Sequence, residues 1–312
     1  MKRIFILLIT VLALTNCSTK KPAEQIIIFH AGSMSYPLRS VLEGFKLENP
    51  EISILHEAAG SVASARKVTE LKRPADILIL ADYQIIDQML IPDFSSFNIH
   101  FATNSIGLAY TRDSRYSENI NAVNWHEILQ HPDVKTGVAD PQADPCGYRT
   151  RMLLQLAEKI YSDSLLGQSI LSEKKFYQRP KETDLIALLE TRTIDYIFIY
   201  ESISHQHGLE FLALSDSLNL SQNTLNNWYK NAEIKLRGEH KGDETTLKGE
   251  AITYGLTILN NAPNKKSAYK FVNWLLQSDK GILLLKNAGL KPLFPAQVHY
   301  EGTYPIDLKL NQ

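Results

Sequence analysis

Ile26-Ile27-Ile28-Phe29-His30-Ala31-Gly32-Ser33-Met34-Ser35-Tyr36-Pro37-Leu38 is the stretch on which the fold turns. Its first four residues are apolar and mostly β-branched, the composition of a short strand buried on both faces. Such strands belong to parallel sheets covered by helices. After the loop Ala31-Gly32-Ser33-Met34-Ser35, the residues Leu38, Val41, Leu42 and Phe45 recur at helical spacing, with Pro37 in the first turn. The unit then repeats. Ile52-Ser53-Ile54-Leu55 leads through Glu57-Ala58-Ala59-Gly60-Ser61 into a helix carrying Ala65, Val68 and Leu71, and Ile77-Leu78-Ile79-Leu80 is a third strand.

From about Tyr110 the chain enters a second α/β unit. Its strand Thr136-Gly137-Val138-Ala139 is followed by the loop Asp140 to Gly147 and a helix with Leu153, Leu156, Ala157 and Ile160 on one face. Tyr196-Ile197-Phe198-Ile199-Tyr200 is a further buried strand, ending at Glu201. Near Ile252-Thr253-Tyr254-Gly255-Leu256 the chain returns, and a helix with Ala268, Phe271, Val272 and Leu275 packs on the first unit. The pattern predicts an α/β protein of two doubly wound lobes. Lobe I takes residues 26–108 with 253–312 and lobe II takes 109–252, hinged near Leu108 to Thr111 and Thr253 to Leu256. The loops after the strands line the cleft between the lobes, where open α/β sheets bind ligands.

Composition narrows the function. The 312 residues hold 33 Lys and Arg against 34 Asp and Glu, a formal charge of −1, and no basic stripe, so nothing recommends a nucleic-acid binder. Two cysteines exclude a disulfide framework. At the N-terminus Lys2 and Arg3 precede an apolar run from Ile4 to Leu14, the order of an export signal and too short to span a bilayer. Leu14-Thr15-Asn16-Cys17 resembles a bacterial lipobox, with Asn16 standing where a small residue is usual. The expectation is a signal peptide over 1–16, lipidation at Cys17 and a polar tether over 17–25, which places the protein outside the cytoplasm on a membrane surface. Cleavage removes Lys2 and Arg3 and no acid, leaving 31 basic against 34 acidic residues, a charge of −3. Cys146 is then the one free thiol, so no internal disulfide can form.

Three loops carry the chemistry. Gly32-Ser33 and Gly60-Ser61 each lie between a strand and a helix, where glycine allows close backbone approach, the helix end offers free N–H groups, and serine adds a hydroxyl. Together they suit an anion, though each serine also reads as an ordinary N-cap. Neither loop is a P-loop, because the G-x-x-x-x-G-K-[ST] spacing is missing. In the third, Asp140-Pro141-Gln142-Ala143-Asp144-Pro145-Cys146-Gly147-Tyr148-Arg149, Asp144 is either a helix cap or a ligand. Glu201 is likewise either a partner of Arg149 or a liganding carboxylate. Cys146 has no activating histidine identifiable by motif, and His205 and His207 alternate as surface residues do rather than at the i, i+4 spacing of a zinc site. Arg66, Lys67 and Lys72 read as a solvated helix face.

His30-Ala31-Gly32-Ser33-Met34-Ser35, Glu57-Ala58-Ala59-Gly60-Ser61-Val62, Ala81-Asp82-Tyr83, Phe101-Ala102-Thr103-Asn104, Asp144-Pro145-Cys146-Gly147-Tyr148-Arg149 and Ala262-Pro263-Asn264-Lys265 occur in one order over nearly all the mature chain. In this the sequence resembles the molybdate/tungstate-binding proteins of ABC importers, in the subgroup named for tungstate uptake and best known from archaea. The resemblance implies a type II periplasmic-binding-protein fold that closes on one oxyanion, with no catalysis, no cofactor beyond that ligand, a monomeric state, and delivery to an importer permease. It further implies that Gly32, Ser33 and Ser61 hydrogen-bond oxyanion oxygens and that the backbone at Pro145-Cys146 completes the cradle. Asn219 adds a contact, and Asp144 and Glu201 reach the metal.

Carboxylates facing a dianion repel it by about 4 kcal/mol per unit-charge pair at 4 Å and an effective dielectric near 20. They become favourable only by bonding the central atom, which molybdenum and tungsten allow by expanding from four oxygens toward six and which sulfur and phosphorus are not expected to do. The two acids therefore reject sulfate and phosphate as well as select tungstate and molybdate. Two rivals stay open at this level: a binding protein for sulfate, phosphate or another anion, and an enzyme acting on a phosphorylated metabolite with Asp144 or Glu201 as base.

Overall fold

The computed structural model describes residues 24–172, 175–237, 243–302 and 304–309. The expected signal segment, Cys17 and the part of the expected tether up to residue 23 lie outside them. β1 (Glu24–Ala31) starts two residues before the stretch read as strand, because Glu24 and Gln25 pair in parallel register with Ile52 and Ser53 of β2. α1 (Ser35–Glu48) buries Pro37, Leu38, Val41 and Phe45, the face expected of it. β2 (Ile52–Ala59) and α2 (Ser61–Thr69) follow. α2 buries Ala65 and Val68 but ends before Leu71, which is 67% exposed, since the chain leaves the helix through Lys72 at φ 50°. β3 (Ile77–Leu80), α3 (Tyr83–Met89) and β4 (Phe97–Thr103) complete the first pass through lobe I.

The chain crosses at Asn104-Ser105, a few residues before the boundary read from sequence, because β5 (Ile106–Tyr110) already pairs with strands of the other sheet. Lobe II then contains α4 (Trp125–Gln130), β6 (Thr136–Ala139), α5 (Pro145–Tyr161), β7 (Phe176–Arg179), β8 (Tyr196–Tyr200), α6 (Glu201–Gln206) and β9 (Glu210–Leu212). An antiparallel hairpin, β10 (Glu233–Arg237) with β11 (Glu244–Lys248), follows. β12 (Thr253–Ile258) returns to lobe I, which ends with α7 (Lys265–Leu275), α8 (Gly281–Asn287) and β13 (Lys291–Tyr300).

Lobe I is a mixed six-stranded sheet in the order β13-β4-β12-β3-β1-β2, and lobe II a five-stranded sheet in the order β7-β6-β8-β5-β9. In each, the parallel pairs occupy one side of the sheet out to its edge (β1 with β2 and β3; β6 with β7 and β8), while the strands that carry the chain between lobes, β5 and β12, run antiparallel to their neighbours. This is the two-lobed α/β architecture expected. The carboxyl ends of β1, β2, β3, β6, β7 and β8 lead into the loops that line the cleft. Among the described residues no helix is long and apolar enough to cross a membrane.

Candidate functional site

β1 and β2 deliver Ser33 and Ser61 to the base of the cleft, both buried. Neither serine caps its helix. Ser61 Oγ accepts the Ala81 amide at 2.9 Å, which leaves its proton to donate. Ser33 Oγ lies beside the Tyr254 phenol, yet no hydrogen bond of ordinary geometry satisfies it. The N-cap alternative therefore fails for both. Gly32 faces Lys181 and Thr183 of lobe II, and a Cβ on it would approach them to 3.4 and 3.5 Å.

Asp144 is 2% exposed and fulfils the capping alternative, its Oδ1 accepting the Cys146 amide at 2.8 Å. Gly147 and Tyr148 donate to the Asp144 carbonyl at 3.1 and 3.4 Å, and Pro145 has no N–H. The cradle expected from the Pro145-Cys146 backbone is thus already engaged by Asp144, which corrects that assignment. What Asp144 presents to the cleft is its carboxyl group. The facing group is Glu182, which the sequence reading did not single out. It opens a 3-10 turn, Glu182–Leu185, after β7, is 1% exposed, and interacts directly with Asp144. Burial raises the pKa of both carboxyls, and the Glu182 charge adds to the rise at Asp144.

Glu182 Oε2 and the Tyr200 hydroxyl at the end of β8 are, like Ser33 Oγ, buried and unpartnered. Tyr200 packs against Tyr254 with ring centroids 6.3 Å apart. Buried polar atoms are nearly always satisfied in native proteins, so two orphan hydroxyls beside a buried carboxyl pair that carries a third orphan mark a place built for a polar guest. The donors are hydroxyls and the acceptors carboxylates. That set suits an oxyanion whose central atom can also accept carboxylate oxygen.

Two expected ligands lie elsewhere. Glu201 follows Tyr200 directly but opens α6, and its side chain turns to the lobe crossing. Its carboxylate accepts Ser105 Oγ at 2.6 Å and Lys291 Nζ at 2.8 Å, and its N–H binds the Ser105 carbonyl. Burial alone would raise its pKa, but Lys291 and Ser105 prevail and lower it. Glu201 pins the hinge at the lobe crossing, and the acid that faces Asp144 is Glu182. Asn219 gives both amide hydrogens to its own turn, to Leu214 O and Asp216 Oδ1 at 3.1 Å each, and its Oδ1 accepts Ser221 N. No donor remains for an oxyanion.

The lobes touch around the site. A Cβ on Gly60 would fall 2.0 Å from the Ala143 carbonyl, and Ala63 N reaches that carbonyl at 3.3 Å. Arg66, read as solvated, instead donates to Gln142 O at 2.9 Å and Arg237 O at 2.8 Å in lobe II. Lys67 pairs with Glu57, its own side chain only 12% exposed rather than solvated. Cys146 is buried, and burial pushes its thiol pKa up, the opposite of an activated nucleophile. Among the described residues no cluster of three His, Cys, Asp or Glu is placed to hold a metal ion by itself.

The family described as bacterial extracellular solute-binding protein matches residues 26–291 of this chain. An uncharacterized solute-binding protein of Petrotoga mobilis is 40% identical over 274 residues, covering 88% of this chain and 85% of its own length. A molybdate/tungstate-binding protein, WtpA, of Thermococcus kodakarensis is 36% identical, covering 87% and 83%. The solved periplasmic molybdate-binding protein of Azotobacter vinelandii superposes with a TM-score of 0.60 over 85% of this chain and 98% of its own, at 13% identity, a likeness of fold.

Proposed function

The chain belongs to the bacterial extracellular solute-binding proteins, and from that premise we propose that it captures tungstate or molybdate in the interlobe cleft and delivers the ion to an importer permease. The family is extracytoplasmic and its members bind solutes rather than transform them. Lipidation at Cys17 would hold this one at the membrane surface. The observation that carries the ligand is the carboxyl pair. Asp144 and Glu182 are buried together, in a site otherwise furnished with the hydroxyls of Ser33, Ser61 and Tyr200. Carboxylates so placed repel sulfate and phosphate but can bond the metal of the larger oxyanions. The name of the relative from Thermococcus agrees with this ligand class.

Before the ion arrives the acids share protons, because burial disfavours two charges side by side. Binding then requires both to ionise, so protons leave as the metal–oxygen bonds form. Serine and tyrosine hydroxyls donate to the oxyanion oxygens, and the lobes exclude water around it. Titration calorimetry with tungstate, molybdate, sulfate and phosphate tests the assignment. Tight binding of the first two alone is expected, with a loss of about a hundredfold or more in Asp144→Asn and Glu182→Gln, as for removing a charge-assisted contact. Equal affinity for sulfate would overturn it. X-ray absorption of the tungstate complex should show about six oxygen neighbours, against a shell of four if the acids stay outside the coordination sphere.

A further inference from the structure

The first turn of α5 carries more than Asp144. Its next residues, Tyr148 and Arg149, reach across the lobe boundary to Asp82, at the end of β3 in lobe I. Arg149 Nη2 lies 2.7 Å from Asp82 Oδ2, both side chains are 1% exposed, and the Tyr148 hydroxyl donates to the same oxygen. Asp82 Oδ1 meanwhile accepts Gln84 N at 3.0 Å, capping α3, and Arg149 Nη1 donates to the Glu250 carbonyl at 2.8 Å. Burial alone would lower the guanidinium pKa, but Asp82 and the surrounding tyrosines reverse this and keep it charged. Among the described residues this is the ion pair with both side chains fully buried, and it spans two bodies that must separate to admit a ligand.

We propose that Asp82, Tyr148 and Arg149 form an interlobe clamp that sets how long the bound ion stays. The proposal rests on the binding reading above and adds positioning residues outside the ion's own contacts. The physical reason lies in what each state does to the charges. In the open form Asp82 and Arg149 are hydrated separately. On closure both lose water and recover the loss through each other, so an intact pair is nearly neutral in energy while a broken pair leaves one naked charge inside the closed form alone. Removing one partner therefore penalises closure without touching the open state that first meets the ligand. The effect falls on dissociation. Because Asp144 caps the helix whose first two turns carry Tyr148 and Arg149, closing the clamp also brings the Asp144 carboxylate to the ion. Arg149 further neighbours Tyr200, so the clamp adjoins the cavity wall.

Stopped-flow tryptophan fluorescence with tungstate reads the two rates for wild type, Asp82→Asn, Arg149→Met and the double variant. Asn retains capping ability at position 82, so α3 keeps its N-terminus. Each single variant should raise the dissociation rate about tenfold or more while association stays within about threefold. The double variant, with no charge left to bury, should recover to within about threefold of wild type. Unchanged dissociation in the single variants, or a double variant worse than either, would overturn the clamp. So would a ligand-free melting temperature that falls in step with the faster dissociation, since that marks a merely structural pair. A second readout is small-angle scattering of the tungstate-saturated protein: Asp82→Asn should give a larger radius of gyration than wild type, and an unchanged radius counts against the proposal. Wild-type protein that binds none of the four oxyanions would sink the ligand assignment, whereas tight binding with unchanged rates in the variants would sink the clamp alone.

Discussion

Asp144 serves two purposes with one side chain. Oδ1 holds the first turn of α5 through the Cys146 amide, and the carboxyl group as a whole faces Glu182. The raised pKa of the pair gives a stability prediction with a definite sign. A carboxyl whose folded pKa lies above its unfolded value binds more protons in the native state, so its contribution is present at low pH and is lost as pH rises through the window that opens at about 4. Glu182→Gln removes one member. The ligand-free variant should therefore melt above wild type at neutral pH, by about 1–2 kcal/mol or a few °C, with the gap closing as pH falls toward that window. A melting difference that does not vary with pH would contradict the shared-proton picture. Glu201→Gln should behave differently, loosening the Ser105 and Lys291 contacts at the hinge and leaving tungstate affinity within a few fold.

At the scale of elements, two strand-to-helix turns use glycine for opposite reasons. Gly60 has φ −60°, a value any residue can take, so its small size matters only because Ala143 of the other lobe comes within 2.0 Å of a Cβ. Gly147 lies inside α5, where a Cβ would strike the Ala139 carbonyl of its own lobe at 2.4 Å. Gly60→Ala should spare folding and weaken tungstate binding about tenfold or more by holding the lobes apart, whereas Gly147→Ala should destabilise lobe II by about 1–3 kcal/mol even without ligand. Chemical denaturation beside calorimetry separates the two, and the same loss in both assays for Gly60→Ala would refute the distinction. The turn Glu182–Leu185 shows how an element escapes notice. Arg179-Pro180-Lys181-Glu182-Thr183 has the look of a charged surface loop, and no spacing in it reports that β7 pairs with β6 and aims Glu182 at Asp144.

At the scale of the molecule, the contacts around the site join bodies that are far apart along the chain. Arg66 to Gln142, Gly60 to Ala143 and Asp82 to Arg149 all cross the cleft. A ligand that bridges the same surfaces stabilises the whole fold by mass action. At a tungstate concentration of about 100 times Kd the gain is about 2.7 kcal/mol, read as a rise in melting temperature that sulfate at equal concentration should not produce. A matching rise with sulfate would place the selectivity elsewhere than in the carboxyl pair.

The linear order of residues was enough for the α/β class, the two lobes and most of the buried strands, because Ile26 to Phe29, Ile77 to Leu80 and Tyr196 to Tyr200 are apolar runs that can only be interior. It also singles out Ser33, Ser61 and Asp144 as candidates, since each sits where a strand passes into a helix. β4 does not stand out as a strand, because Asn98 and His100 interrupt its apolar pattern although both are buried. Nor could adjacency distinguish Glu201 from Glu182. A carboxylate just after a buried strand looks like a ligand, but Glu201 opens α6 and its side chain is taken by Ser105 and Lys291 at the hinge. Which acid meets Asp144, and which charges close the lobes, depends on contacts between segments separated by tens of residues, and only tertiary packing brings those together.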